Sequence, residues 1–282
     1  MIDPLREELR VLAREFQSRG IPLIIGGGYG LVLRTEMIAE SGSRTLIPDF
    51  PSARSTEDLD IFLKAEVISN PEKTGQIRDA LDRCGYEPVV PYFQFQREID
   101  YRDRSRSVKV DFLAAPVPAE LSTSVKADPV RVRPRRGKGL HAHVTPEALT
   151  VEESMILIDI GEGEESLTVY LPHPFSYLLL KLYALRDRLD DRDADNGRHH
   201  AFDLYTTIAT MTEREWDESR SIKDTYRDTP QVIEARDIAS DLFADSTALG
   251  SLRLQEHARL TDYTLSWERL NFFMDSVRQL MA

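Results

Sequence analysis

The chain has 282 residues, 41% hydrophobic and 30% charged, which is enough apolar material for a real core in one large domain or two of ordinary size. Its formal net charge of −12 argues against a protein that coats nucleic acid through non-specific phosphate contacts, but leaves room for an enzyme with one local basic groove. The single Cys84 excludes an internal disulfide, no apolar run approaches a bilayer span, and MIDPLREELR lacks the apolar segment of a targeting signal, so a cytoplasmic protein outside the membrane is expected.

Asp3 as a cap, Pro4 at the first helical position and the stripe Leu5, Leu9, Leu12, Phe16 predict a first helix ending before Gly20. The apolar strand PLII runs into Gly26, Gly27 and Gly28, and YGLVLRTEMIAE reads as a second helix. SGSRTLIPDFPSARS is a polar, proline-containing loop. DLDIFLK alternates as a strand, and Asn70 with Pro71 opens a helix running to about Cys84. Strands are expected from Glu87 to Phe93, from Phe95 to Tyr101 and over VKVDFLA, then short strands and turns from Val130 to Leu171. After Pro172 the pattern is helical almost to the end. The spacing therefore predicts an α/β domain over 1–171 and an all-α domain over 172–282.

Three features line up with chemistry. Residues i and i+2 of a strand point to one face, so Asp58 and Asp60 present two carboxylates together while Leu59 and Ile61 point into a core. Asp111, flanked by Val110 and Phe112, sits inside an otherwise apolar strand, where an acid is costly unless paired or metal-bound. Three converging carboxylates call for cations, and two hard Mg²⁺ ions bridging to substrate phosphates suit an in-line displacement. Gly26 and Gly27, lacking side chains, let a triphosphate approach the backbone N–H groups where the second helix starts. On residues alone, the glycines equally suit a turn and Asp-x-Asp a solvated strand face.

Lys126 to His143 holds six Lys or Arg against one Asp and is the main basic island. It is either a surface ribbon or, beside an active site, a phosphate track for an RNA acceptor through Arg131, Arg133, Arg135, Arg136 and Lys138. DRDADNG, from Asp191 to Gly197, imitates a calcium loop but places Phe202 where the terminal Glu belongs, and reads as a flexible acidic loop. His141 with His143, and His199 with His200, lack the companions of a zinc site.

IIGGGYG, RSTEDLDIFL and VKVDFLA together resemble the signature of the polymerase-β nucleotidyltransferase superfamily: a glycine pair at a helix start, Asp-x-Asp on a strand, and a third acid on a later strand. PFSYLLLKLYALRDR followed by RHHAFDLY is similar to the abortive-infection (AbiEii-type) branch, which includes the MenT toxins of type IV toxin–antitoxin systems. The resemblance implies an α+β fold, with a mixed sheet and flanking helices followed by the helical domain, and a nucleotide in the cleft between the two. It implies that Lys181 contacts the nucleotide phosphates, that Arg188 belongs to the same helix motif, and that Asp203 supports the site. The glycines are followed by Gly28 and Tyr29 rather than a hydroxyl residue, so Ser55 or Thr56 is the substitute phosphate contact, and the connection from Ile38 to Ala53 is an insertion. Relatives modify RNA, in some cases the 3′ end of tRNA. The expected activity is thus transfer of a nucleotide from an NTP to an RNA hydroxyl, in a toxin-like role with a possible antitoxin partner. A small aminoglycoside-like molecule, a protein hydroxyl, and a non-catalytic interaction role stand as alternatives.

Overall fold

The structure, a computed structural model, describes residues 3–54, 56–101, 104–136 and 139–282. Helix α1 (Pro4–Gln17) starts where the Asp3 carboxylate accepts from the Leu5 N–H at 3.0 Å, and it buries Leu5, Leu9, Leu12 and Phe16. Strand β1 (Ile24–Ile25) stops after two residues because the chain turns at Gly27, φ 59°, straight into α2 (Gly27–Ser41). That helix starts two residues before the expected Tyr29.

Strand β2 (Asp58–Leu63) follows the loop and leads to a short helix α3 (Ala65–Ile68) that the sequence pattern does not reveal. Asn70 caps α4 (Pro71–Arg83), accepting from Glu72 and Lys73 N–H groups at 2.9 and 3.2 Å. Then come β3 (Glu87–Val90), β4 (Gln94–Tyr101) and β5 (Arg104–Ala114), the last longer than the expected VKVDFLA. The middle of the chain supplies β6 (Val125–Ala127), β7 (Arg131–Pro134), β8 (Ala142–Val144), β9 (Ile156–Asp159) and β10 (Thr168–Leu171). The remainder is helical: α5 (Pro174–Arg188), α6 (Arg198–Ala209), α7 (Glu213–Tyr226), α8 (Pro230–Leu242), α9 (Leu249–Leu260) and α10 (Trp267–Met281). Within the stretch Asp191 to Gly197, expected as a flexible acidic loop, Arg192–Gly197 forms 3-10 turns, and Asp195, Asn196 and Gly197 have positive φ just before α6.

The class is mixed α/β. Among the described residues the strands make one mixed sheet in the order β6-β7-β8-β5-β2-β1-β10-β9, with β4 also beside β5 and β3 beside β4. β2, β5 and β8 run parallel, and β4 runs antiparallel to β5. One sheet face is apolar, carrying Leu59, Ile61, Val110, Phe112, Val132 and Ala142, all buried; α1 packs against β2 and β10, and α4 packs against α1.

The chain divides into two compact units, 1–30 with 55–172 and 31–54 with 173–282. A single cut near Leu171 leaves residues 31–54 with the first unit; the structure gives them to the second. Within that unit Arg34 is fully buried, its guanidinium bonded to Glu215 at 2.9 and 2.8 Å and to the Thr210 carbonyl at 2.9 Å. Further along, the Leu46 N–H bonds the Met211 carbonyl at 2.8 Å. No described helix is long and apolar enough to cross a membrane.

Candidate active site

The first unit brings the three acids onto one sheet face. β2 and β5 pair in parallel with Asp60 opposite Asp111 and Asp58 opposite Lys109. Adjacent strands lie about 4.8 Å apart, so Asp60 and Asp111 are immediate neighbours. Alternation does the rest: Leu59, Ile61, Val110 and Phe112 are buried, whereas Asp58, Asp60 and Asp111 are half-buried on the opposite face.

Gly27 is shaped by this face. A Cβ there would stand 1.7 Å from Asp60 Oδ2, and its φ of 59° disfavours any other residue. A Cβ at Gly26 would stand 2.4 Å from the Phe62 ring. The expected phosphate role of Gly26 needs correction, because its N–H already donates to the Asp60 carbonyl at 2.8 Å. The donors left at the helix start are those of Gly27 and Gly28.

Burial raises the pKa of Asp111; a hydrogen bond from Gln94 works against that, and the charge of Asp58 adds to it. Thr56 lies two residues before Asp58 and accepts its N–H at 3.4 Å, so its hydroxyl stays on this side of the sheet; Ser55 lies outside the described residues. Thr56, Asp58, Ser107 and Lys109 line a cavity of about 460 Å³, and the Ser107 hydroxyl is buried without a hydrogen-bond partner among the described residues.

The chemistry of the donor set fits Mg²⁺. Three carboxylates on one face of two neighbouring strands offer hard oxygen ligands, and Asp111 is raised by burial first, with the charge of Asp58 adding to it. The side chains are nonetheless not drawn into a ligand cluster: no group of three His, Cys, Asp or Glu able to hold a metal occurs among the described residues.

Lys181, Arg188 and Asp203 belong to the second unit. Lys181 on α5 is 6% exposed and donates to Asp203 Oδ2 on α6 at 2.7 Å. Arg54 also donates to Asp203, at 3.2 and 3.3 Å. Burial pushes the Asp203 carboxyl up, but Lys181 and Arg54 outweigh it and hold the group at about 2. Burial and Lys181 push neighbouring His200 down to about 3. Arg188 stands apart, exposed near the end of α5 with Nη1 3.0 Å from Asp191.

The same face of the first unit continues from the acids into the basic island. Leu113, two residues after Asp111, pairs with His143 on β8; His143 pairs with Arg131 on β7; Arg133, two further on, pairs with Lys126 on β6. Arg135 and Arg136 are exposed just past β7, and Lys138 lies outside the described residues. Sequence reading passed over Arg54, Gln94, Lys109 and Tyr92. Lys109 was within reach, since it alternates with Asp111 on the same strand; the other three depend on pairings between distant segments. No family model matches the chain, and no curated protein matches it at a significant level.

Proposed function

We propose that the chain is a Mg²⁺-dependent nucleotidyltransferase that moves a nucleotide from an NTP to an RNA hydroxyl. The observation that carries this reading is the register that sets Asp111 beside Asp60, with Asp58 on the same face and Gly27 against the Asp60 carboxylate. Asp58 and Asp60 hold the ions, and Asp111 completes the set. Bound Mg²⁺ neutralises phosphate charge and lowers the pKa of the acceptor hydroxyl. The N–H groups of Gly27 and Gly28, at the start of α2, receive phosphate oxygens. Asp111 takes the proton as the acceptor oxygen bonds to the α-phosphorus and the bond to the β-phosphate oxygen breaks, releasing pyrophosphate. Most of the rate comes from positioning and electrostatics.

In the second unit, buried Lys181 bonds Asp203, which Arg54 also engages, and the resemblance implies that Lys181 meets the nucleotide phosphates. The basic island gives the acceptor strand a track of cations, and a toxin-like role follows from the resemblance to the AbiEii-type branch. Incubation with Mg²⁺, each labelled NTP in turn and total RNA tests the reading. Label on RNA that vanishes in Asp58→Ala and Asp60→Ala is expected. Label on protein or on a small molecule instead would redirect the acceptor, and no label with any acceptor would overturn the enzyme reading.

A further inference from the structure

A second cavity, of about 490 Å³, lies at the basic end of the same sheet and is lined by Tyr92, Lys126, Asp128, Arg131, Arg133 and His141 among others. Tyr92 forms its aromatic wall. The residue is 46% exposed and sits in the turn between β3 and β4 with φ 82°, a conformation that bulky side chains disfavour. Backbone outliers of this kind cluster at active sites, ligand clamps and switch regions. The Tyr92 ring stacks on His141, centroids 4.7 Å apart and planes 28° apart, and the Tyr92 carbonyl accepts the His141 N–H at 2.8 Å. One ring face is therefore backed, and its exposure presents the rest to solvent.

Three cations stand beside this ring. Lys126 and Arg133 are register partners on β6 and β7, and neither has a carboxylate partner among the described residues. Arg131 is 3.6 Å from Asp128, whose Oδ1 is already engaged by the N–H groups of Val130 and Arg131 at 2.9 and 2.8 Å. His141 Nδ1 is buried with no hydrogen-bond partner among the described residues. Burial, with Arg133 and Arg131 nearby, holds His141 at about 4, so the ring is neutral at pH 7 and can accept a hydrogen bond.

We infer that this cavity binds one nucleotide of a single-stranded RNA acceptor, its base stacked on Tyr92 and its phosphates on Arg131, Arg133 and Lys126. Cations alone would suit any anion; the displayed aromatic ring beside them selects a base. β7 lies two strands from β5, about 10 Å at ordinary strand spacing, a distance that a few nucleotides cover. The subsite thus holds a base upstream of the reacting 3′ end. The inference rests on the RNA-directed transfer proposed above.

Fluorescence anisotropy of the full chain with 5′-labelled single-stranded RNA, without NTP, tests it independently of turnover. Tyr92→Gly removes the ring and suits the positive φ, and its melting temperature and circular dichroism check that the variant is folded. Tyr92→Gly should weaken binding roughly five- to a hundredfold, the range of a lost base stack. Tyr92→Phe should bind like the wild type. RNA with abasic sites near its 3′ end should bind the wild type and Tyr92→Gly equally. A Tyr92→Gly variant that binds intact RNA as the wild type does, or that loses intact and abasic RNA to the same degree, overturns the inference. Ring-dependent binding in a protein that transfers nothing would sink the transfer reading alone; transfer to RNA with no dependence on the ring would sink this one alone.

Discussion

At Gly27 a Cβ would have to occupy the space of Asp60 Oδ2, 1.7 Å away, in a backbone conformation of φ 59°. Gly27→Ala should therefore destabilise the fold by at least about 1–3 kcal/mol, the cost of holding a non-glycine residue there. Adding Asp60→Ala removes the carboxylate clash but leaves the Asp60 Cβ at 3.0 Å and the backbone strain, so the double variant should be more stable than the sum of the singles, as urea denaturation would read. Asp111 separates binding from chemistry. Asn keeps the size and a carbonyl oxygen but loses the charge and the basicity. Asp111→Asn should bind Mg²⁺–NTP within roughly tenfold of wild type, about 1.4 kcal/mol, yet lose nearly all transfer. Calorimetric titration with a non-hydrolysable NTP beside the transfer assay checks both halves. Loss of nucleotide binding would place Asp111 in the nucleotide site, and retained turnover would remove it from the mechanism.

Two helices, α5 and α6, meet through a buried charge. Asp203 is 2% exposed and lies between Lys181 and Arg54, so Asp203→Asn strands a buried ammonium. A cost of about 3–5 kcal/mol is expected, the usual range for breaking a buried pair from one side. The cluster also sets an acid limit. The Asp203 carboxyl is held at about 2 against an ordinary 3.8, so its stabilisation is complete above 3.8 and is lost as pH falls through about 2. His200, held at about 3 against 6.5, stays neutral when folded; the unfolded chain takes up its proton first, and stability falls as pH drops from 6.5 toward 3. Chemical denaturation across that window should show a decline that His200→Gln reduces; an unchanged slope would mean that the imidazole titrates alike in both states.

Across the whole molecule the charge is unevenly placed. The chain carries −12 in total, yet one stretch of the first unit, Lys126 to His143, holds six Lys or Arg against one Asp. If that stretch meets RNA, replacing Arg133, Arg135 and Arg136 with Ala should flatten the log–log salt dependence of binding by roughly 2, at about 0.7 per phosphate contact on a single strand. NTP affinity should change little. An equal slope in wild type and variant would leave the island a solvated surface and favour a small-molecule acceptor.

What the sequence determined by itself is local, because its causes act over two to four residues. Asp3 and Asn70 cap helices through N–H groups two and three residues on, and DLDIFL shows its two faces by alternation. Asp58 and Asp60 could thus be assigned to one side before any fold was known. Only the tertiary structure decided which strand lies beside them: β5 is their neighbour because the apolar faces of both strands close on one core, and that pairing puts Asp111 opposite Asp60. The same holds for Arg54, which reaches Asp203 across 149 residues of chain, and for Tyr92 behind His141. It holds too for residues 31–54, which join the C-terminal helices because buried Arg34 finds Glu215 there. No spacing rule encodes these partners; burial of distant apolar faces brings them together, and the polar groups carried along must then be satisfied where they land.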